Sequence, residues 1–210
     1  MPFDERKQRE KEDRRNEIID AAEKQFFSKG YDEVRMDDIA KDVKVNKALL
    51  YYYFKNKETL YFAIVTRAAK IFEGLIKERV KPEMFGLVKL REIGMALFDF
   101  ALKYPGYYDV YFYSASPRFS MCNEEYGSEI TAMGSETMRI SIDAAREGIA
   151  DGSIRKDLNP VQVAVFLSRA SEGIVKSNRV SMNYLERQGI GQEQFLKESV
   201  DMLEHAIRAN

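Results

Sequence analysis

An all-α protein is predicted from two observations. Apolar residues recur at helical spacing along almost the whole chain of 210 residues, and no stretch shows the polar and apolar alternation between turn residues that marks a half-buried strand. Hydrophobic residues make up 45% and charged residues 32%, with 12 Gly and 5 Pro, which excludes collagen-like, low-complexity and strongly disordered classes. A chain of this length buries roughly 70% of its unfolded surface, enough for a sizeable core. The longest apolar run, Ala48 to Phe54, has seven residues, far short of the ~20 needed to span a membrane. The first residues, through Arg15, are charged and lack the apolar stretch of a secretory leader, so a cytoplasmic protein is expected. A single cysteine, Cys122, makes no intrachain disulfide and agrees with a reducing compartment.

Each element follows from its residues. Residues 6 to 17 are too polar to bury a face and are expected as a ragged arm. It merges into a helix once Ile18, Ile19, Ala22 and Phe26 supply an apolar stripe, and Gly30 ends that helix in a left-handed cap. A short helix runs from about Asp37 to Val43, with Asp37 and Asp38 at its positive end. After a tight connection at Lys44 and Val45, Asn46 caps a third short helix whose buried side is Leu50 and Phe54. A connector helix follows over about 57–80, and Pro82 marks a hinge.

The remainder reads as five helices. The first carries Leu87, Leu90, Gly94, Leu97, Phe98 and Ala101 and stops before Pro105-Gly106. A short aromatic helix covers Tyr107 to Ser114, closed by Pro117, and a long amphipathic one runs from about Glu124 to Ile149, ended by the Asp151-Gly152-Ser153 turn. Asn159 caps a helix over Pro160 to Met182, with proline at its first position, and the last helix covers Gln192 to Ala209. We therefore expect two domains, residues 1–60 and 61–210.

Net charge is −1, from 33 Lys+Arg and 34 Asp+Glu, so nothing pulls the whole molecule toward nucleic acid. Its distribution is informative. Lys44, Lys47, Lys55 and Lys57 fall in a stretch without a single acid, which also holds three consecutive tyrosines. A solvated helix face explains a charge run alone. The three short elements before residue 55 have the spacing of a helix-turn-helix. The third would show Lys47, Ala48, Leu49, Tyr51, Tyr52 and Tyr53 around its core pair. Phosphate contact uses tyrosine hydroxyls, lysine ammonium groups and helix N-termini together, while Ala48 and Leu49 suit base edges or a thymine methyl.

Residues 15 to 60 resemble the TetR/AcrR family of bacterial and archaeal transcriptional regulators. Gly30-Tyr31, Asp38-Ile39-Ala40-Lys41, Val45-Asn46-Lys47 and the run from Leu50 to Glu58 carry the resemblance. It covers about a quarter of the chain at motif level; beyond it the likeness is one of length, helix count and the segment Arg155 to Pro160. The resemblance implies an N-terminal three-helix DNA-binding domain and a C-terminal helical bundle for ligand binding and dimerisation. It further implies a homodimer that represses promoters and leaves a palindromic double-stranded DNA operator when a small molecule enters the C-terminal domain. Carried over residue by residue, the DNA contacts fall on Lys47, Ala48, Leu49, Tyr51, Tyr52 and Tyr53, with Asn46 heading the helix and Lys57 on phosphate from the next. The sequence departs from the family at three places. Arg35 stands where a capping threonine is frequent and is expected to reach DNA phosphate without capping, Lys44 replaces the usual turn glycine at about 1 kcal/mol if positive φ is required, and Leu49 stands where polar or small residues are frequent.

For the effector, Tyr104, Tyr107, Tyr108, Tyr111, Phe112 and Tyr113 crowd ten residues. With Phe72, Met95, Phe98, Phe119, Met121, Met133 and Met138 they are expected as a group to line a pocket for an apolar or aromatic molecule; taken singly, each is better explained as core. Val163, Phe166, Leu167, Ala170 and Ile174, with Phe195, Met202, Leu203 and Ala206, are expected to form a four-helix interface with a second copy. No cofactor or metal is expected. The one histidine, His205, and Cys122 have no ligand spacing, and no Gly-rich phosphate loop or Gly-x-Ser-x-Gly elbow occurs, so an enzyme is not expected. The alternative is a helical small-molecule-binding or adaptor protein without DNA binding.

Overall fold

A computed structural model describes residues 3–120, 124–177 and 179–209, and among them the chain is helical with no strand. Eleven helices follow one another among these residues: α1 (Phe3–Glu33), α2 (Met36–Asp42), α3 (Lys47–Tyr53), α4 (Lys57–Arg79), α5 (Gly86–Lys103), α6 (Pro105–Ser114), α7 (Pro117–Ser120), α8 (Glu124–Asp151), α9 (Pro160–Val175), α10 (Arg179–Arg187) and α11 (Gln192–Ile207). They divide into two compact units, residues 1–69 with 105–128, and residues 70–104 with 129–210. No helix among the described residues is long and apolar enough to cross a membrane.

In the first unit the core is made by Ile18, Ile19, Ala22 and Phe26 of α1, Ile39 and Ala40 of α2, Leu50 and Phe54 at α3, and Leu60, Tyr61 and Ile64 of α4, all buried. The sequence stripe expected to fill this core does so. The arm expected to be ragged is instead helical from Phe3, though every described side chain from Glu5 to Glu17 stays exposed. Gly30 does not form a left-handed cap. Its φ of 74° and ψ of 173° kink α1 and let the helix resume to Glu33, in a backbone region open essentially to glycine alone.

Between α2 and α3 the turn is the one that Lys44 was expected to strain. Its φ is 53°. The Val45 N–H donates to the Ala40 carbonyl at 3.0 Å and the Lys44 N–H to the Lys41 carbonyl at 3.1 Å, the paired closure of a helix by a left-handed residue. Arg35 heads α2 without a side-chain cap, while Asn46 caps α3 by accepting the Leu49 N–H at 2.8 Å.

The same unit takes in α6 and α7, so its extent differs from the expected 1–60. The reason is aromatic packing. Tyr107 meets Phe27 edge-on at 4.9 Å, Phe119 stacks on Tyr61 at 5.3 Å, and the Tyr61 hydroxyl donates to the Val110 carbonyl at 3.0 Å. Gly106 has no room for a side chain, since a Cβ there would meet the Phe27 ring at 2.5 Å. Arg67 of α4 bridges to Asp20 at 2.6 Å, Glu23 at 2.9 Å and Asn16 at 3.0 Å, all on α1.

In the second unit, Phe98, Leu196 and Val200 form a buried cluster against which Met95, Ile174 and Val175 pack. Phe72 stacks on Phe100 at 5.2 Å. Arg79 of α4 donates to Glu92 at 3.0 Å and also pairs with Asp99, both on α5. Close approach of α5 to α8 demands glycine, because a Cβ on Gly86 would lie 2.0 Å from the Gly148 nitrogen. The helix expected to run from Pro160 to Met182 ends at Val175, where the Lys176 N–H donates to Glu172 at 3.0 Å, and a separate α10 follows.

Candidate nucleic-acid interface

Two turns of α3 sort their side chains by the core beneath them. Leu50 is buried on one side; on the other, Asn46, Lys47, Ala48, Leu49, Tyr51 and Tyr52 are exposed, with Tyr53 half-buried. Tyr52 is 68% exposed and Tyr51 47%, a large aromatic surface open to solvent. The rings of Tyr52 and Tyr53 meet edge-on at 5.3 Å, which limits where the two phenols point. The sequence argument holds for this face: leucine in, tyrosine and lysine out.

Two basic residues meet different fates. Lys47 extends toward solvent and pairs with Asp37 at 2.6 Å; that hydrogen bond raises its pKa, so it stays cationic. Lys57, expected on phosphate, turns inward. Its ammonium donates to the carbonyls of Tyr31 at 2.8 Å, Val34 at 3.1 Å and Asp32 at 3.4 Å, and lies 4.3 Å from the Tyr31 ring centroid. All three N–H donors are thereby engaged within the subunit, closing the carbonyl end of α1. Burial lowers the Lys57 pKa, partly offset by Asp32 and Glu58. Arg35 is exposed beside α2.

Sequence reasoning missed two neighbours of this face. Lys11 of α1 lies 5.5 Å over the Tyr52 ring, and Arg15 lies 5.0 Å over that of Phe54. They are one helical turn apart, a spacing the sequence displayed but which gained meaning only once the arm proved helical.

The residues named for an effector pocket fall in both units. Tyr107, Tyr108, Tyr111 and Phe112 lie on α6 in the first, where Tyr108 is buried and the other three are half-buried. Burial and the Glu23 hydrogen bond push the Tyr107 phenol pKa up to about 12. Phe72, Met95, Phe98 and Met138 lie in the second, where Phe98 and Met95 are packed in the cluster described above and Met138 is half-buried. The side chains of Met121 and Met133 lie outside the described residues. Of the nine residues named for dimerisation, Val163 is buried within its own subunit and Ile174 packs on the Phe98 cluster. Phe166 and Met202 are exposed, at 49% and 67%, as is Ala206; Leu167, Ala170, Phe195 and Leu203 are half-buried.

The segment that carries the end of α1, α2, α3 and the start of α4 matches a known domain family. Residues 18–64 fit the model of the bacterial regulatory proteins of the tetR family. Residues 18–64 thus form a domain of the tetR-family type. The chain is 49% identical over 47 residues to IcaR, a negative transcriptional regulator of the icaADBC biofilm operon in Staphylococcus epidermidis, an alignment spanning 22% of this chain and 25% of that protein. The match thus covers about a quarter of the relative's length. Among solved structures, the chain's fold is similar to that of a putative transcriptional regulator from Saccharomonospora viridis in complex with choline, with a TM-score of 0.76 and 18% identity over 95% of this chain and 100% of the other. It is also similar to AibR in complex with isovaleryl coenzyme A and operator DNA, with a TM-score of 0.71 and 21% identity over 90% and 97% of the two chains.

Proposed function

We propose that the regulator is a repressor that binds a palindromic operator as a homodimer and releases it when a small molecule occupies the second unit. The observation that carries this reading is the exposed Leu49, Tyr51 and Tyr52 face of α3 beside Lys47 and the Asn46 cap. A helix of that width fits the major groove, where Leu49 and Ala48 meet base edges and the phenols and Lys47 meet phosphate. DNA phosphate displaces Asp37 from Lys47, so that pair tempers nonspecific affinity. Names of relatives support repression and ligand control: IcaR is a negative regulator, and AibR was solved with operator DNA and a coenzyme A thioester. The effector's class is apolar or aromatic, in keeping with the aromatic and methionine content, and such a regulator acts in the cytoplasm.

Dimerisation supplies two copies of α3, one per half-site, and the exposed Phe166 and Met202 favour α9 and α11 as the contact. Sedimentation should give a dimer at micromolar concentration; a monomer there contradicts the proposal. Selection from random duplexes at 50 and 200 mM salt should enrich an inverted repeat, with binding weaker by ~10³ to 10⁵ at the higher salt for six to ten phosphate contacts. Failure to enrich any sequence leaves the alternative of a helical ligand-binding or adaptor protein.

A further inference from the structure

The helical arm ahead of the core is charged on every turn, and four of its six basic residues share one side of the axis. With 3.6 residues per turn, Lys7, Arg14, Arg15 and Ile18 all lie within about 60° of Lys11. The same stripe includes Gln8 and, at its far end, Asp4. Five of the arm's acids, Glu5, Glu10, Glu12, Asp13 and Glu17, face elsewhere, with Arg6 and Arg9 among them. Arg6 pairs with Glu10 at 2.9 Å, two residues of this outer set neutralising each other. Arg14 reaches from the edge of the stripe to Glu17 at 2.6 Å.

The direction of this stripe is settled by contacts. Ile18 is buried in the helix-turn-helix core, Arg15 lies over Phe54 at the end of α3, and Lys11 lies over Tyr52 on the exposed face of α3. Lys11 and Arg15, with Gln8, Glu12 and Asn16, also line a surface cleft. A basic stripe that begins beside the recognition face and continues away from it for two turns, roughly 12 Å, has the shape of a phosphate-tracking surface.

We infer that the N-terminal helix is a second DNA-binding element, laying Lys7 and Lys11 along the phosphate backbone of double-stranded DNA outside the bases that α3 reads. This rests on the proposed DNA-binding function. Continuity with the α3 face and the segregation of positive charge select nucleic acid over a protein partner. Lys11 leaves the Tyr52 ring for a phosphate, while Arg15 holds the arm against Phe54. Contacts of this kind carry no sequence information, so they add affinity and salt dependence without changing base preference.

The test uses the full chain and two labelled duplexes bearing the sequence selected from a random pool. One ends at the outer edge of the protected half-sites, and the other extends about ten base pairs further on each side. The Lys7→Gln/Lys11→Gln variant should bind the longer duplex more weakly by at least tenfold at 0.1 M salt, with the log–log salt slope reduced by about 1 per lysine lost. Its base preference should be unchanged, and the advantage of the longer duplex over the shorter one should disappear. Lys7→Arg/Lys11→Arg should restore binding, and Arg6→Gln/Arg9→Gln, on the opposite side, should leave it as in the parent. All these side chains are solvent-exposed, and an unchanged melting temperature verifies folding. If the parent binds both duplexes and Lys7→Gln/Lys11→Gln matches it in affinity and slope, the arm makes no phosphate contact and the inference is overturned. If the parent enriches no duplex at all, the DNA-binding reading falls and the inference falls with it.

Discussion

Lys57 shows how one side chain changes role when its surroundings are known. Spacing places it at the start of α4, where the family resemblance puts a phosphate contact, but its ammonium answers three carbonyls at the end of α1. Hydrogen bonds to a charged group contribute about 1.5–3 kcal/mol each when lost from a partly buried site. Lys57→Met should therefore lower unfolding free energy by about 2 kcal/mol in urea denaturation, while DNA affinity of the folded fraction changes less than tenfold; the reverse pattern would restore the phosphate role. Lys44 is the opposite case, because the sequence alone showed it. A lysine at φ 53° carries a left-handed penalty of roughly 1 kcal/mol, so Lys44→Gly should raise the melting temperature by several degrees, and a decrease would mean that its side chain makes a stabilising contact. Asn46 was equally legible, since an N-cap needs only a local sequence to be read. Lys57 was not, because its acceptors lie more than twenty residues away along the chain.

Elements were legible where their signals were local and hidden where tertiary packing decided. The α2 turn, the Asn159-Pro160 start of α9 and the outward face of α3 all follow from capping and periodicity. The arm's helicity did not, because residues 6–17 bury nothing and polar sequences report no periodicity. Nor did the placement of α6: six aromatic residues in ten suggest a chamber, yet Tyr107 and Phe27 pack ring to ring within the first unit. The join of α4 to α5 depends on charge. Burial raises the Asp99 pKa, but the hydrogen bonds from Arg79 and Lys103 together outweigh it and hold the carboxyl below its ordinary value. A carboxylate with a lowered folded-state pKa contributes stability that is full above about pH 4 and is lost as the pH falls through the folded value. Asp99→Asn should accordingly destabilise by about 2 kcal/mol at pH 7, with the gap from the parent narrowing toward pH 3 in thermal melts. A gap independent of pH would assign the loss to packing.

At the scale of the whole molecule, the helical fold and the family of the N-terminal domain were readable from the sequence, because a helix-turn-helix constrains residue types at nearly every position. Over nearly its whole length the chain shares its architecture with solved structures at only 18% and 21% identity, since many side-chain sets fill a helical bundle equally well. That is why the residues expected at an interface divided, Val163 into the chain's own core and Met202 to its surface. With a net charge of only −1, the proposed sequence-specific binding rests on a small number of side chains on α3 and its neighbours. Fluorescence anisotropy of a labelled selected duplex, comparing the parent with Leu49→Ala/Tyr52→Ala, probes that dependence most directly. Both side chains are exposed, so thermal stability should stay within about 0.5 kcal/mol of the parent while affinity falls by on the order of a hundredfold, equivalent to about 1–3 kcal/mol at each site. Unchanged affinity in a fully folded variant would contradict the assignment of α3 as the element that reads DNA.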